Sequence, residues 1–591
     1  MSRKRALRTA TVFGGALGAV LLVAGALAWW LLRPDSRDVT QAAVITPPGQ
    51  LANHCRDGIG EPRVEQVTDG VFLAIGFDVA NTIVVVTDAG NVVVDPGMSP
   101  ARARVVRAAI GEHAPGKTAA IVYTHSHIDH IGGASAWADE GTEVWATAAF
   151  ADHFIKQYSV YRDVEQARGM RQFGAHVGDE SLPCSALGRR IDFEGVLETG
   201  VVMPTHTFSG RHELRIGGVA MELVEAHGET HDQLFIHLPD LGVLMPGDNY
   251  YRAFPNLYTI RGTTPRPVDA WIASLDAMRR RAATVLVPSH TVPVRGRDEV
   301  ASALTRYRDG IQWVRDRVVA AANRGDDVDT IAESVGLPPH LANDAALAPL
   351  YGQIDWSARA IYGNQLGWFD GRAETLYPLA RADRARRMID AMGGPDAVWQ
   401  NVGSADDPRW ALSLLGLLDD AGIDTTAGAR WALAKADALE ALATGIGNSN
   451  GRGYLLESAH ELRVGPFEPP VPRPPEALID SIPIAAFFQI METRLIPERS
   501  IDTHESVVFE FADTDERFVL TVRRGIAEVV AGEALPGTPA PIATIATTTG
   551  TWRRLAIGTA SPLAAVAAGT LSIDGDRAAF YTFSERFRRG I

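Results

Sequence analysis

Four side chains of metal-binding type fall within six positions: His125, His127, Asp129 and His130, in the run Thr124-His-Ser-His-Ile-Asp-His130. Two imidazoles separated by one residue on a strand-end loop can both face one cation. Asp129 and His130 can then face a second cation beside it. Imidazole nitrogen with carboxylate oxygen suits zinc and similar divalent ions. A single histidine is commonly structural, but this density of ligand types is rarely so. Two adjacent divalent cations lower the pKa of a water they share, so the chemistry to expect is hydrolysis.

The motif needs a strand that ends at it. Ile121 to Tyr123 is an apolar strand that delivers the cluster at its C-terminal end, ahead of Gly132-Gly133. Upstream, Val71 to Ile75, Thr82 to Val86 and Val92 to Val94 are β-branched runs separated by turn signals such as Asp88-Ala-Gly90. Ala101 to His113 has helical spacing of apolar residues. Strands followed by helices continue to about Gly296, so residues 55–297 are expected to form a mixed α/β catalytic domain. Over 298–464 arginine- and alanine-rich helical stretches dominate, such as Glu299 to Asn323 and Ala429 to Ala443, which predicts an all-α domain. Prolines at 466, 469, 470, 472, 474 and 475 mark a stiff linker over 465–476. The last segment, 477–591, opens with a helix and continues with alternating strands such as Ser506 to Phe511 and Arg517 to Val522, an α+β pattern.

The chain has 591 residues, 46% of them apolar and 21% charged, which is an ordinary globular composition and room for roughly three or four domains. The net charge of −15 argues against a nucleic-acid partner, because phosphate is repelled. It leaves a small anionic substrate open, since a local positive site outweighs a distant field. Cys55 and Cys184 are the only cysteines, so a thiolate zinc site is excluded. Two buried free thiols is the ordinary reading; outside the cytoplasm the pair could form one disulfide. Arg3, Lys4, Arg5 and Arg8 precede an uncharged stretch from Thr9 to Leu32, 24 residues long, with Trp29 and Trp30 at its far end. That is enough to cross ~30 Å of hydrocarbon. It is read as an uncleaved transmembrane anchor over 1–33, followed by a linker over 34–54, rather than as a signal peptide cut near Ala26-Leu-Ala28. The basic flank would stay inside and place the catalytic part outside the cytoplasm, on the periplasmic or extracellular side.

The histidine motif resembles the signature of the metallo-β-lactamase superfamily, which implies an αββα sandwich with metals at the edge of the two sheets. Further pieces follow in order and narrow the resemblance to alkyl sulfatases. In Ala226-His-Gly-Glu-Thr-His-Asp232, Glu229 stands where the superfamily usually places a histidine ligand, as alkyl sulfatases do, and His227 and His231 flank it as outer residues. Asp248, in Gly247-Asp-Asn249, sits where an acid bridges both metals; alkyl sulfatases typically use a glutamate there. Asn256-Leu-Tyr-Thr-Ile-Arg-Gly262 is similar to a run whose asparagine and arginine contact sulfate in that family. A guanidinium fork suits a tetrahedral anion and keeps its charge. His290, in Val287-Pro-Ser-His290, matches the late histidine of the second metal site. Leu366-Gly-Trp-Phe-Asp-Gly371, with Asn448 to Leu455 and Glu461-Leu462, resembles the alkyl sulfatase dimerisation domain and implies a homodimer. Val522 to Ile526 and Gly569 to Gly575 resemble a sterol carrier protein-like C-terminal domain.

The resemblance thus implies two divalent ions, zinc fitting best. His125, His127 and Glu229 would hold one, Asp129, His130 and His290 the other, with Asp248 bridging. Asp129 and Arg261 are the candidates for direct catalytic roles. Asn256 and Arg261 would bind the sulfate group, and Arg266 would help the leaving alkoxide. The substrate expected is an alkyl sulfate ester, attacked at sulfur or at carbon. Two other readings stay open: a different hydrolysis (lactone, thioester or phosphodiester), and a non-catalytic lipid-binding protein, which would predict missing ligands.

Overall fold

The computed structural model describes residues 46–191, 193, 198–423, 429–466 and 475–588. Two sheets face each other. The first is seven-stranded in sequence order: β1 (Arg63–Thr68), β2 (Val71–Ile75), β3 (Thr82–Thr87), β4 (Gly90–Val94), β5 (Thr118–Val122), β6 (Glu143–Thr147) and β7 (His206–Phe208). It is antiparallel from β1 to β4 and parallel from β4 to β7. The second has six strands: β8 (Arg211–Ile216), β9 (Val219–Glu225), β10 (Leu234–Leu238), β11 (Val243–Met245), β12 (Val285–Leu286) and β13 (Val294–Arg295). Its spatial order is β13-β12-β11-β10-β9-β8.

Period-two alternation builds the layers. Ile83, Val85, Val92 and Val94 point into the space between the sheets, where they meet Leu223, Leu234, Ile236 and Met245. The intervening Val84 and Val93 point outward onto α1 (Pro100–Gly111) through Ala103, Val106 and Ile110. On the opposite outer face, Phe235, Leu244 and Leu286 pack on α3 (Val268–Arg279) and α4 (Arg297–Asn323), led by Trp271, Leu275, Leu304, Tyr307 and Ile311. Each fully buried large apolar side chain contributes ~1.5–3 kcal/mol, so both faces of both sheets are strongly specified. This is the αββα metallo-β-lactamase sandwich. The α4 segment shares one core with α3 and with the next helices, Val328–Ser334 and Ile354–Leu366, through Ile331, Ile354, Ala358 and Ile361.

The helices from Arg381 to Thr444 form a core of their own, in which Ile389, Val398, Leu414, Leu415, Leu418 and Trp431 meet. The last helix of the region, α5 (Ser449–Val464), packs on Ala429–Thr444 and also lies along α2 (Arg162–Phe173) of the sandwich. Leu366, Trp368, Leu376, Tyr377 and Leu379 are exposed on the helical region. The C-terminal segment is an α+β unit with sheet order β16-β15-β14-β17-β18, comprising β14 (His504–Phe511), β15 (Glu516–Arg523), β16 (Ile526–Ala531), β17 (Pro541–Thr547) and β18 (Leu571–Gly575). Phe487 and Phe488 pack against Phe509, Phe511, Phe518 and Leu520 in its core.

Two expectations are corrected. Cys55 and Cys184 are not free thiols: they form a disulfide, with Cα atoms 5.8 Å apart across 129 residues of chain. A shared cluster with Leu51, Leu187, Tyr251 and Tyr351 brings the two segments together, a proximity that cysteine count does not encode. The membrane anchor is also withdrawn, and with it membrane attachment and the placement outside the cytoplasm. Among the described residues no helix is long and apolar enough to cross a membrane. The stretch from Thr9 to Leu32 lies outside the described residues, as do Pro469 to Pro474 of the expected linker. Length and hydropathy permit a span but do not make one.

Candidate metal centre

The candidate residues gather at one edge of the sandwich, each on the segment that follows a strand. Thr124 to His127 follow β5, and Ile128–Ile131 form a single helical turn. Glu229 lies between β9 and β10, Asp248 on the short turn after β11, and His290 in the loop after β12. Close packing dictates two glycines here. A Cβ on Gly132 would sit 1.9 Å from the Met98 carbonyl oxygen. Gly247 has φ +57°, and a Cβ there would meet Gln233 at 2.1 Å, so only glycine allows Asp248 its place.

Two groups of ligand-type atoms result, each within 4.8 Å: His125, His127 and Asp248 in one, Asp129, His130 and His290 in the other. His125 Nε2 and His127 Nδ1 are 2.8 Å apart. His130 Nε2 and His290 Nε2 lie 3.4 and 3.5 Å from Asp129 Oδ2. Asp248 stands between the groups, 3.1 Å from His290 Nε2, 3.4 Å from His130 Nε2 and 3.9 Å from His125 Nε2. Glu229 Oε1 is 3.8 Å from His127 Nδ1, and its other oxygen pairs with Arg266.

The electrostatics suit cations. Burial, then the nearby His130, push His125 down to about 4, and burial with His125 and Arg261 lowers His127 well below the usual imidazole range. Neutral imidazole is the form that ligates. In the other group burial opposes the charged form, but Asp248 overrides it and raises His130 and His290, so a cation there would displace a proton. Burial would raise Asp129, but His130 and His290 outweigh it and hold it at about 2. Burial likewise opposes the ionised form of Asp248, and the same two histidines override it. Burial raises Glu229 to about 7 against the pull of Arg266. His130 Nε2 and Asp248 Oδ1 are buried and make no hydrogen bond. Buried polar atoms without partners are costly, and here they converge, so this donor set fits divalent metal ions.

The residues after Asp248 bring further buried polar groups to the first group, Arg261 to His127 and Arg266 to Glu229. Asn256 is 1% exposed, and neither atom of its side-chain amide has a hydrogen-bond partner. Arg261 Nη2 lies 3.1 Å from His127 Nε2, while Nη1 makes no hydrogen bond. Arg266 is committed elsewhere: Nη1 bonds Glu229 and the Asn256 carbonyl, while Nε is buried without a partner. His227 bonds Glu225 and His231 bonds the Pro265 carbonyl, so both face away from the two groups.

Comparison with known proteins fits this geometry. Residues 75–290 match the model of the metallo-beta-lactamase superfamily, 327–465 that of alkyl sulfatase dimerisation, and 474–589 that of the alkyl sulfatase C-terminal region. A linear primary-alkylsulfatase of a Pseudomonas species is 33% identical over 465 residues, 75% of this chain and 87% of that protein. The chain belongs to the alkylsulfatase family. An (R)-specific secondary-alkylsulfatase of Pseudomonas is 29% identical over 541 residues, covering 86% of this chain and 78% of the relative. The solved structure of the stereoselective inverting sec-alkylsulfatase Pisa1 from Pseudomonas superposes with a TM-score of 0.84 at 26% identity, covering 95% of this chain and 92% of that one. This alkylsulfatase-family member is accordingly a metallohydrolase.

Sequence reading missed Asp95. It is fully buried at the end of β4 with φ +54°, and it accepts from Thr124 N (2.9 Å), Thr124 Oγ1 (2.9 Å) and Ser289 Oγ (2.7 Å). It also faces His130 Nδ1 at 2.8 Å. The only sequence signal was an acid followed by Pro96-Gly97 straight after an apolar strand.

Proposed function

We propose that this protein hydrolyses alkyl sulfate esters to alcohol and sulfate with two divalent ions, zinc best matching the nitrogen and oxygen donors. His125, His127 and Glu229 would hold one ion, Asp129, His130 and His290 the other, and Asp248 would bridge. When bound, such ions supply Lewis acidity and make water a stronger acid. The observation that carries the substrate class is the Asn256 and Arg261 pair. A buried amide with both ends unpartnered and a guanidinium with a free edge stand beside the ligand groups. A sulfate oxygen pair satisfies both, through a charge-assisted fork on Arg261 and an N–H from Asn256. Arg266 neutralises Glu229 and carries the Asn256 carbonyl, so its part is to hold the pocket's shape. The filled ligand positions speak against the non-catalytic lipid-binding reading, and the anion pair speaks against a lactone substrate.

A homodimer is supported by the match to the dimerisation model and by the exposed Leu366, Trp368, Leu376, Tyr377 and Leu379, which a second copy would cover. Metal content measured together with sulfate release from dodecyl sulfate tests the function. About two equivalents of metal per chain and chelator-sensitive release are expected. Full metal occupancy without sulfate release would sink the alkyl sulfatase reading.

A further inference from the structure

Arg261 is gripped from behind by α2, and nothing in the metal chemistry explains that grip. Gln172, 1% exposed, turns its carboxamide oxygen to the anion loop, where it accepts from Thr259 Oγ1 at 3.0 Å and from the backbone N–H of Arg261 at 2.9 Å. Two helical turns earlier on the same face, Glu165 places Oε1 3.6 Å from Arg261 Nη1. That separation is an ion pair rather than a hydrogen bond, which leaves the Nη1 protons available. Glu165 is itself held by Gln157 Nε2 at 2.6 Å. The helix is fixed in turn by α5. Arg171 pairs with Glu461 at 2.8 Å, and the backbone N–H of His176, just past the helix, donates to Glu457 at 2.8 Å. A Cβ on Gly453 would lie 2.5 Å from the Gln172 carbonyl oxygen, so the helices touch backbone to backbone.

We propose that Gln172 and Glu165 are positioning residues for Arg261. Gln172 sets the aim of the guanidinium, and Glu165 limits the charge the pocket accepts, so that a monoanionic sulfate ester is favoured over a dianionic phosphate ester. Arg266 is already balanced by Glu229 and Arg261 faces Glu165, so the two arginines add little surplus positive charge to that of the ions. A sulfate monoester brings one negative charge, whereas a phosphate monoester brings nearly two at neutral pH. The second charge meets the Glu165 carboxylate, and like charges at this range exclude the wrong ligand. This inference rests on the sulfate-ester reading above.

The test uses full-length, metal-loaded protein. Kinetics on dodecyl sulfate, inhibition by dodecyl phosphate and calorimetric binding of inorganic sulfate are measured for wild type, Gln172→Leu, Gln172→Glu and Glu165→Gln. Gln172→Leu should raise KM about tenfold with a smaller fall in kcat and unchanged metal content, the size expected when the two bonds to its oxygen are lost from a buried network. Gln172→Glu, which keeps the acceptor oxygen, should recover most of it. Glu165→Gln should tighten dodecyl phosphate relative to dodecyl sulfate by about tenfold. An unmoved KM in folded, metal-replete Gln172→Leu overturns the positioning role. An unchanged phosphate-to-sulfate ratio in Glu165→Gln overturns the selectivity role, and that isosteric variant decides the matter if Gln172→Leu does not fold. Should wild type release no sulfate from dodecyl sulfate, the functional reading fails on its own. Weaker calorimetric binding of inorganic sulfate to Gln172→Leu than to wild type would then still support the grip on Arg261, and equal binding would overturn it.

Discussion

The half of the centre formed by Asp129, His130 and His290 is braced by groups that stay out of the proposed anion pocket, whereas the half formed by His125 and His127 is braced in part by Arg261, which belongs to it. In the first case, Asp95 faces His130 Nδ1 at 2.8 Å and the Val79 carbonyl faces His290 Nδ1 at 2.9 Å. Each partner takes the Nδ1 proton and leaves Nε2 for a cation, and such outer partners fix both ring orientation and tautomer. In the second case, Thr124 Oγ1 donates to Asp95 at 2.9 Å and so can accept from His125 Nδ1 at 3.1 Å. His127, however, meets Arg261 at 3.1 Å, and the nearby Glu229 is tied to Arg266. One half is therefore a closed holder, and the other is coupled to whatever anion occupies the pocket.

The comparison breaks most severely at the one residue the halves share. Asp248 lies within 3.1–3.9 Å of His290, His130 and His125. Asp248→Ala should strip metal from both halves and lower kcat/KM for dodecyl sulfate by about 10³-fold or more, several kcal/mol of transition-state stabilisation. Metal analysis and kinetics on the same sample check it, and retained activity would show that the halves are not bridged there. Next, Arg261→Ala should keep the metal yet weaken kcat/KM by about 100-fold, the cost of a charge-assisted fork. A matched loss of metal would mean that Arg261 supports His127 rather than substrate.

What was legible in the sequence follows the same division. The run from His125 to His130 reads directly, because four ligands in six positions need no tertiary knowledge. The apolar alternation in β2 to β5 likewise announces the strands that carry it. Glu229, Asp248, Asn256, Arg261 and His290 are single polar residues on loops, and only their order along a family pattern singles them out. Asp95, Gln172 and Glu165 had no such pattern. Asp95 acts across 35 residues on His130, and Gln172 acts across 89 residues on Arg261. To the sequence, Gln172 and Glu165 are ordinary polar positions of an amphipathic helix. The disulfide was misjudged for the same reason: packing of two distant segments decides it, not the number of cysteines.

Two smaller changes sharpen the contrast by acting on the closed half directly and on His125 only through Thr124. Asp95→Asn removes the charge behind His130 while keeping the shape. Outer-partner changes of this kind cost about 10- to 100-fold in metal affinity. Stepwise removal of metal with a chelator should show one ion lost early and the other held as in wild type, whereas equal weakening of both would dissolve the distinction. The mildest change is Ser289→Ala. Ser289 Oγ donates to Asp95 Oδ2 at 2.7 Å, but Asp95 keeps Thr124 N, Thr124 Oγ1 and His130 Nδ1 around it. One bond of four removed from a buried carboxylate costs about 1 kcal/mol, which is about fivefold in affinity for the same ion. The direction discriminates as well as the size. Loss of the donor makes Asp95 a stronger acceptor for His130, so the ring should stay in place and kcat at saturating metal should hold. An equal fall in kcat would show that Ser289 orders the loop carrying His290 rather than feeding Asp95.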